Sequence, residues 1–248
     1  MERTNRAPVS TFYAPGAWGP VVALDESAAH HATVKRLAVG DPVRLVSGDG
    51  RRVRANITEI AKRRLAVSTA GEDVEELPSP SSVELWAPVG DRERMLWLAE
   101  KATELGVSAW RPVIYRRSRS VTPRGEGSAF QEKVRARMIS ALEQSGGAWL
   151  PVLRPESTLE DALSSADGSN GILLDAAGEP LREAVSRLTS HGSPLTCRLA
   201  FGPEGGLDPE ERDAFLGAGW RAASLGTNVL RFETAGVAVL AIIRSLEW

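Results

Sequence analysis

Phe201-Gly-Pro-Glu-Gly-Gly-Leu-Asp208 and Leu225-Gly-Thr-Asn-Val-Leu-Arg-Phe-Glu-Thr-Ala235 are the two stretches whose reading decides the fold. Each follows a short apolar run and leads into a helical pattern. Glycine lets a ligand approach the main chain closely, and a helix start offers unpaired N–H groups. Strand, glycine turn and helix in that order describe a site built largely from backbone, at the carboxyl ends of strands in an α/β sheet.

Upstream, the same alternation continues. Val83–Val89, Trp110–Ile114, Leu150–Leu153, Gly171–Asp175, Thr196–Phe201 and Ala222–Leu225 read as strands. Helices are expected over Asp91–Leu105, Phe130–Gln144, Thr158–Ser165, Pro180–Ser190, Pro209–Gly217 and Glu233–Leu246. The first of these spaces Met95, Leu98, Ala102 and Leu105 at helical intervals and stops at Gly106. Alternating strands and helices imply an α/β fold with a mainly parallel sheet covered on both faces. The run Ala235–Ile243 reads as a helix buried on nearly all sides, by the core or by a partner subunit. It is far shorter than the ~20 residues needed to span a bilayer.

Glu72-Asp-Val-Glu-Glu-Leu-Pro-Ser-Pro-Ser-Ser82 is acidic, then rich in proline and serine, and reads as a linker. The expected division is therefore residues 1–72, linker 73–82, and 83–248. Before the linker, Val43 and Leu45, Val53, Ala55 and Ile57, then Leu65 and Val67 alternate with polar neighbours across close-set turns. That pattern predicts a small antiparallel β-barrel, with a short helix around Ala28–Arg36.

Composition is that of a soluble globular protein: 248 residues, 42% hydrophobic and 25% charged. A single cysteine, Cys197, excludes an internal disulfide and reads as a buried structural thiol rather than a nucleophile. With His30, His31 and His191 as the only histidines, no metal site is expected. No apolar segment follows the N-terminus, so a cytoplasmic protein is expected. Net charge is −2, but residues 1–72 carry 11 Lys and Arg against 7 Asp and Glu, and residues 73–248 carry 19 against 25. The basic N-terminal part reads either as a face for an anionic partner or as a solvated surface.

No P-loop, dinucleotide fingerprint or nucleophile elbow is present. Glu233 and Thr234 fall where acceptor side chains favour a helix start. Arg231 at that position opposes the helix dipole and needs a partner: Glu233, Glu204 or an anionic substrate.

The two C-terminal stretches resemble the RsmE family, the uridine N3-methyltransferases of small-subunit ribosomal RNA in the SPOUT superfamily. Lys101-Ala-Thr-Glu-Leu-Gly-Val107, Ala141-Leu-Glu-Gln-Ser-Gly146 and the pattern His30, Val34, Arg36, Gly40 extend the resemblance over nearly the whole chain. It implies a trefoil-knotted parallel sheet behind a PUA-like barrel, a homodimer, and S-adenosylmethionine as cofactor. The implied cofactor residues are Leu173, Leu174, Phe201, Gly202, Pro203, Gly205, Gly206, Leu225, Gly226, Val229, Leu230, Thr234 and Ala235. Arg231, Glu233 and Glu204 are the catalytic candidates: a cation to stabilise the uracil anion, and carboxylates to take its proton or orient the arginine. Thr227-Asn228 replaces a common Pro-Arg, and Gly147 stands where an arginine often follows.

Two basic regions are candidates for 16S ribosomal RNA in the small subunit. One holds Lys35, Arg36, Arg51, Arg52, Arg54, Lys62, Arg63 and Arg64. The other, Arg111 to Arg124, holds Arg116, Arg117 and Arg119 and reads either as a phosphate-contacting mobile loop or as an ordinary solvated one. The alternatives to N3 methylation are a ribose 2′-O-methyltransferase and a non-catalytic RNA-binding assembly factor.

Overall fold

The computed structural model describes residues 9–120, 123–166, 170–188 and 195–246, with the side chains of Arg119 and Ser120 excepted. His191, and Ser190 at the expected end of a helix, lie outside the described residues. The chain divides into two compact units: Met1–Ser79 with Leu142–Leu150, and Pro80–Ala141 with Pro151–Trp248.

In the first unit, strands β1 (Ser10–Tyr13) and β2 (Val21–Leu24) precede helix α1 (Glu26–Val34), then β3 (Pro42–Val46), β4 (Arg51–Ala61), β5 (Arg64–Ser68) and β6 (Glu75–Glu76). Asp25 caps α1 by accepting from Ala28 N at 3.0 Å. The alternation of Val43 and Leu45 with Val53, Ala55 and Ile57 buries one face around Phe12, Leu65 and Val67. The order is β1-β3-β4-β5-β2, with β6 on β4. The sheet is mixed rather than antiparallel throughout, because β1 runs parallel to β3. Part of the expected linker is a strand: Glu75 and Glu76 pair with Arg52 and Arg51, and the Arg52–Glu75 ion pair at 2.7 Å matches their charges. Leu142–Leu150 joins this unit through Glu143, whose carboxylate accepts from Tyr13 N at 2.8 Å and lies 3.4 Å from His31.

The second unit begins with β7 (Ser82–Pro88), α2 (Arg92–Glu104) and β8 (Ala109–Ile114), then a 3₁₀ turn, Arg116–Ser120. Helix α3 (Ser128–Ser145) is followed by β9 (Val152–Leu153), β10 (Ser157–Thr158), α4 (Leu159–Ser164), β11 (Gly171–Pro180) and α5 (Leu181–Leu188). The unit ends with β12 (Thr196–Ala200), α6 (Pro209–Gly217), β13 (Arg221–Ser224) and α7 (Phe232–Ser245). Every strand pair is parallel, in the order β10-β8-β7-β12-β11-β13 with β9 on β8. Trp86 packs at tilted angles on Phe215 and Trp220, and Phe215 meets Trp220 edge-on.

Helix α2 buries Met95, Leu98 and Ala102 at the predicted spacing. It packs on α7, where Gly236 leaves room for Leu98 and Phe201. Helix α7 is one-sided rather than buried all round: Ala235, Val239, Leu240 and Ile243 are buried, whereas Ala241 and Ile242 are exposed. Strand β11 pairs with β13 over Ile172–Leu174 and again at Glu179–Pro180. The register shift between these pairings frees Asp175 and Ala176 in the middle of the strand.

Candidate functional site

Three adjacent strands, β12, β11 and β13, open on one cavity of about 720 Å³, β12 and β13 with their carboxyl ends and β11 with its irregular middle. Its walls are Leu174–Ala176 within β11, Phe201, Gly202, Pro203, Glu204, Gly206 and Leu207 after β12, and Ser224–Gly226 with Asn228–Phe232 at and after the end of β13. Ala235 on α7, Arg94 on α2 and Arg212 on α6 complete it. The size falls in the ~300–1,000 Å³ range of small-molecule sites.

Most of the expected cofactor residues line this cavity: Leu174, Phe201, Gly202, Pro203, Gly206, Leu225, Gly226, Val229, Leu230 and Ala235. Leu173 is buried in the core below it, beside Trp86 and Phe215. Gly205 turns to the outside of its loop, against Arg117. Thr234 and Glu233 line a neighbouring cavity of about 530 Å³ with Trp97 and Arg137. Of the catalytic candidates, Glu204 and Arg231 stand in the main cavity.

Arg94 lines both cavities and joins the two carboxylates. Its Nη1 is 3.6 Å from Glu204 Oε1 and its Nε 3.8 Å from Glu233 Oε1, ion-pair rather than hydrogen-bond distances. Glu233 Oε2 is buried without a hydrogen bond, so this Glu–Arg–Glu row is under-satisfied. Arg231 is the N-cap of α7 and makes no capping bond. Across the cavity, Asp175 pairs with Arg212. Burial alone would raise the Asp175 carboxyl, but hydrogen bonds from Arg212 and Ala177 N hold it below its ordinary value.

These walls suit a cofactor with an apolar heterocycle and polar ends. Val229 is 92% exposed and Leu230 38% exposed at the cavity rim, apolar surface that a bound molecule would cover. The charged groups, Arg94 with Glu204, Asp175 with Arg212, and Arg231, sit at separate points along the walls.

Residues 77–244 match the family described as RNA methyltransferase domain. The chain belongs to this family. Residues 24–69 match the RNA methyltransferase PUA domain, so the N-terminal unit carries a PUA domain. Among relatives, the ribosomal RNA small subunit methyltransferase E of Rickettsia conorii is 28% identical over 229 residues, covering 91% of this chain and 89% of that protein. A crystal structure of the protein so named from Neisseria gonorrhoeae, bound to S-adenosylmethionine, is 27% identical with a TM-score of 0.83 and covers 96% of this chain and 98% of that one. A Legionella pneumophila methyltransferase with the same bound cofactor is 27% identical, with a TM-score of 0.85 and coverage of 97% and 98%.

In this member of the RNA methyltransferase family the expected RNA-binding cations fall into two groups. Arg52, Arg116 and Arg124 are tied to Glu75, to Glu210 and Asp208, and to Glu126, and Arg117 donates to the Gly205 carbonyl. Arg111 lies in β8, paired with Glu84 over the Trp86 ring. By contrast Lys35, Arg36 and Arg54 are exposed and make no ion pair among the described residues. Arg54 faces Arg44 directly across β3 and β4, a like-charge juxtaposition that an anion between them would relieve. Arg119 has no described side chain.

Two charged cavity residues, Arg94 on α2 and Arg212 on α6, escaped the sequence reading. Asp175 closes the stretch Leu173–Asp175 that the resemblance had already implied beside the cofactor. Nothing local marks the two arginines. No helix among the described residues is long and apolar enough to cross a membrane, and no group of metal-binding side chains occurs among them.

Proposed function

We propose that this protein transfers a methyl group from S-adenosylmethionine to N3 of a uridine in 16S ribosomal RNA of the small subunit. The observation that carries the reading is the cavity shared by three adjacent strands, walled by glycine turns and rimmed by uncovered apolar side chains. The RNA methyltransferase family and the names of the relatives support the substrate class, and the sequence resemblance supports the N3 position.

When bound, the cofactor supplies a methyl group already activated by its sulfonium. The protein's tasks are positioning and proton handling. Uridine N3 carries a proton and is a poor nucleophile until that proton leaves. Glu204, in the cavity wall, is the candidate acceptor. Arg231, in the same wall and without a capping bond, is the cation to offset charge growing on the uracil ring. Arg94 holds Glu204 on one side and Glu233 on the other, so Glu233 acts through Arg94 rather than on the base. Among the described residues Lys35, Arg36, Arg54 and Arg44 are cations without an ion pair and available to meet phosphates.

The protein is proposed to work as a cytoplasmic homodimer. Trp97 on α2 is 45% exposed and Ile242 on α7 39% exposed, apolar surface suited to a second copy. Sedimentation at micromolar concentration should give twice the chain mass.

The deciding experiment incubates the protein with labelled S-adenosylmethionine and small subunits from a strain lacking the modification, then locates the methyl group by mass spectrometry. Label on N3 of one uridine is expected. Label on ribose would make it a 2′-O-methyltransferase, and no label with intact RNA binding would make it an assembly factor.

A further inference from the structure

The glycine loop that walls the cavity is held from outside by the arginine-rich turn. Arg117 Nη1 donates to the Gly205 carbonyl at 2.9 Å. The stem of the side chain lies along the same residue: a Cβ on Gly205 would fall 3.1 Å from Arg117 Cβ and 3.5 Å from its Cδ. Gly205 is thus the one residue of Gly202–Leu207 that does not face the cavity. The turn it belongs to is closed by Gly206 N donating to Pro203 O at 2.8 Å, so fixing the Gly205 carbonyl fixes the orientation of the peptide between the two cavity-facing sides of the turn.

The strut has a firm base. Ser118, only 1% exposed, closes the 3₁₀ turn on Tyr115, with Oγ accepting from Tyr115 N at 3.1 Å and N donating to Tyr115 O at 3.0 Å. Arg116 N donates to buried Glu211 at 2.7 Å, and the other oxygen of that carboxylate accepts from Asp208 N at 2.9 Å, in the capping box that starts α6. Arg116 pairs with Asp208 and Glu210 on the same helix start. The turn and the glycine loop are therefore one bonded assembly, and Arg117 is its link to the cavity wall.

We propose that Arg117 is a positioning residue for the cofactor loop, not an RNA-phosphate contact. This rests on the reading of the cavity as the S-adenosylmethionine site. A guanidinium bond to a carbonyl belongs to the stronger class of hydrogen bonds, and losing it frees the turn to sample other peptide orientations. Binding then has to restore the one it needs.

The test compares wild type, Arg117→Ala and Arg117→Lys. Amide hydrogen exchange on the cofactor-free proteins should show Gly205–Leu207 exchanging faster in Arg117→Ala, with the global thermal midpoint unchanged and with partial recovery in Arg117→Lys. Calorimetry should show S-adenosylmethionine bound about tenfold more weakly by Arg117→Ala. The slope of log RNA affinity against log salt should stay as in wild type, whereas a lost phosphate contact would flatten it by ~0.7. A second variant guards against misfolding: Gly205→Ala pushes the arginine off from the other side and should give the same exchange pattern. Unchanged exchange and cofactor affinity, or a flattened salt slope with normal cofactor affinity, overturns the proposal. If wild type itself binds no S-adenosylmethionine while exchange still responds to Arg117, the strut stands as a loop anchor and the functional reading falls.

Discussion

The two walls of the cavity differ in how they are held. The wall after β12 is tied at nearly every residue: Gly206 to Pro203, Gly205 to Arg117, Glu204 to Asp91 N at 3.4 Å and to Arg94, and Asp208 in a capping box. The wall after β13 is anchored only at its start, where Ser224 Oγ donates to Gly226 O at 2.9 Å and accepts from Gly226 N at 3.2 Å. Beyond that, Thr227 to Leu230 make no hydrogen bond among the described residues and lie exposed. Ordering such residues costs about 1–2 kcal/mol each. One wall is pre-organised, and the other leaves that cost to be met on binding.

The largest effect is expected from breaking the held wall. A Cβ on Gly202 would sit 3.0 Å from Leu207 N and 3.2 Å from Gly206 C, so a β-branched side chain has to open the turn. Gly202→Val should weaken S-adenosylmethionine about 100-fold or more by calorimetry, by the scale of several lost backbone bonds. Near-normal affinity would mean that this wall does not touch the cofactor. On the loose wall the expected loss is smaller. Val229 is 92% exposed, so Val229→Ser should leave the thermal midpoint of the free protein unchanged while lowering cofactor affinity about tenfold, the scale of covering one valine side chain. A drop in midpoint of the free protein would instead show that Val229 packs at home.

This asymmetry explains what could be read from the chain alone. The glycine turns were legible because Gly, Pro and a following helical pattern carry their meaning locally. So was the end of α2, marked by Gly106 at positive φ. The struts were not legible. Arg94, Arg117 and Arg212 are three among many arginines, and their partners Glu204, Gly205 and Asp175 are far away in sequence. Read as a basic cluster, Arg111 to Arg124 offered a phosphate-contacting loop or an ordinary solvated one; the carboxylates paired with Arg116, those of Asp208 and Glu210, lie at the start of α6. The parallel pairing of β1 with β3 and the return of Leu142–Leu150 to the first unit are likewise long-range choices. They depend on contacts such as Tyr13 N to Glu143 that no local pattern encodes.

A third change tests how far the holding of the first wall reaches. Asp208→Ala removes the side-chain half of the capping box that starts α6 and leaves the residue-208 N–H donating to Glu211. Loss of such a cap costs about 1 kcal/mol, which in a chain of this size lowers the midpoint by ~2–4 °C. Cofactor affinity should fall with it by only a few fold. A fall as large as that of Gly202→Val would place the main constraint in the helix rather than in the turn.

The smallest effect separates the walls by pH. Asp175 and Arg212 tie the middle of β11 to α6, on the held side, whereas Arg231 on the loose side makes no ion pair among the described residues. The Asp175 carboxyl is held below its ordinary value because the Arg212 hydrogen bond and Ala177 N outweigh the opposing effect of burial. A lowered folded value means that its stabilisation is complete above the ordinary carboxylate value of 3.8 and is lost as pH falls through the folded one. With Arg212 38% exposed, solvent screens the pair, and the loss on acidification should lower the midpoint by on the order of 1–2 °C. Asp175→Asn should remove that acid-side component and leave an otherwise parallel stability curve. If wild type and variant instead diverge only above neutral pH, the pair is not what ties β11 to the held wall, and the contrast between the walls narrows to the glycine turn and its arginine strut.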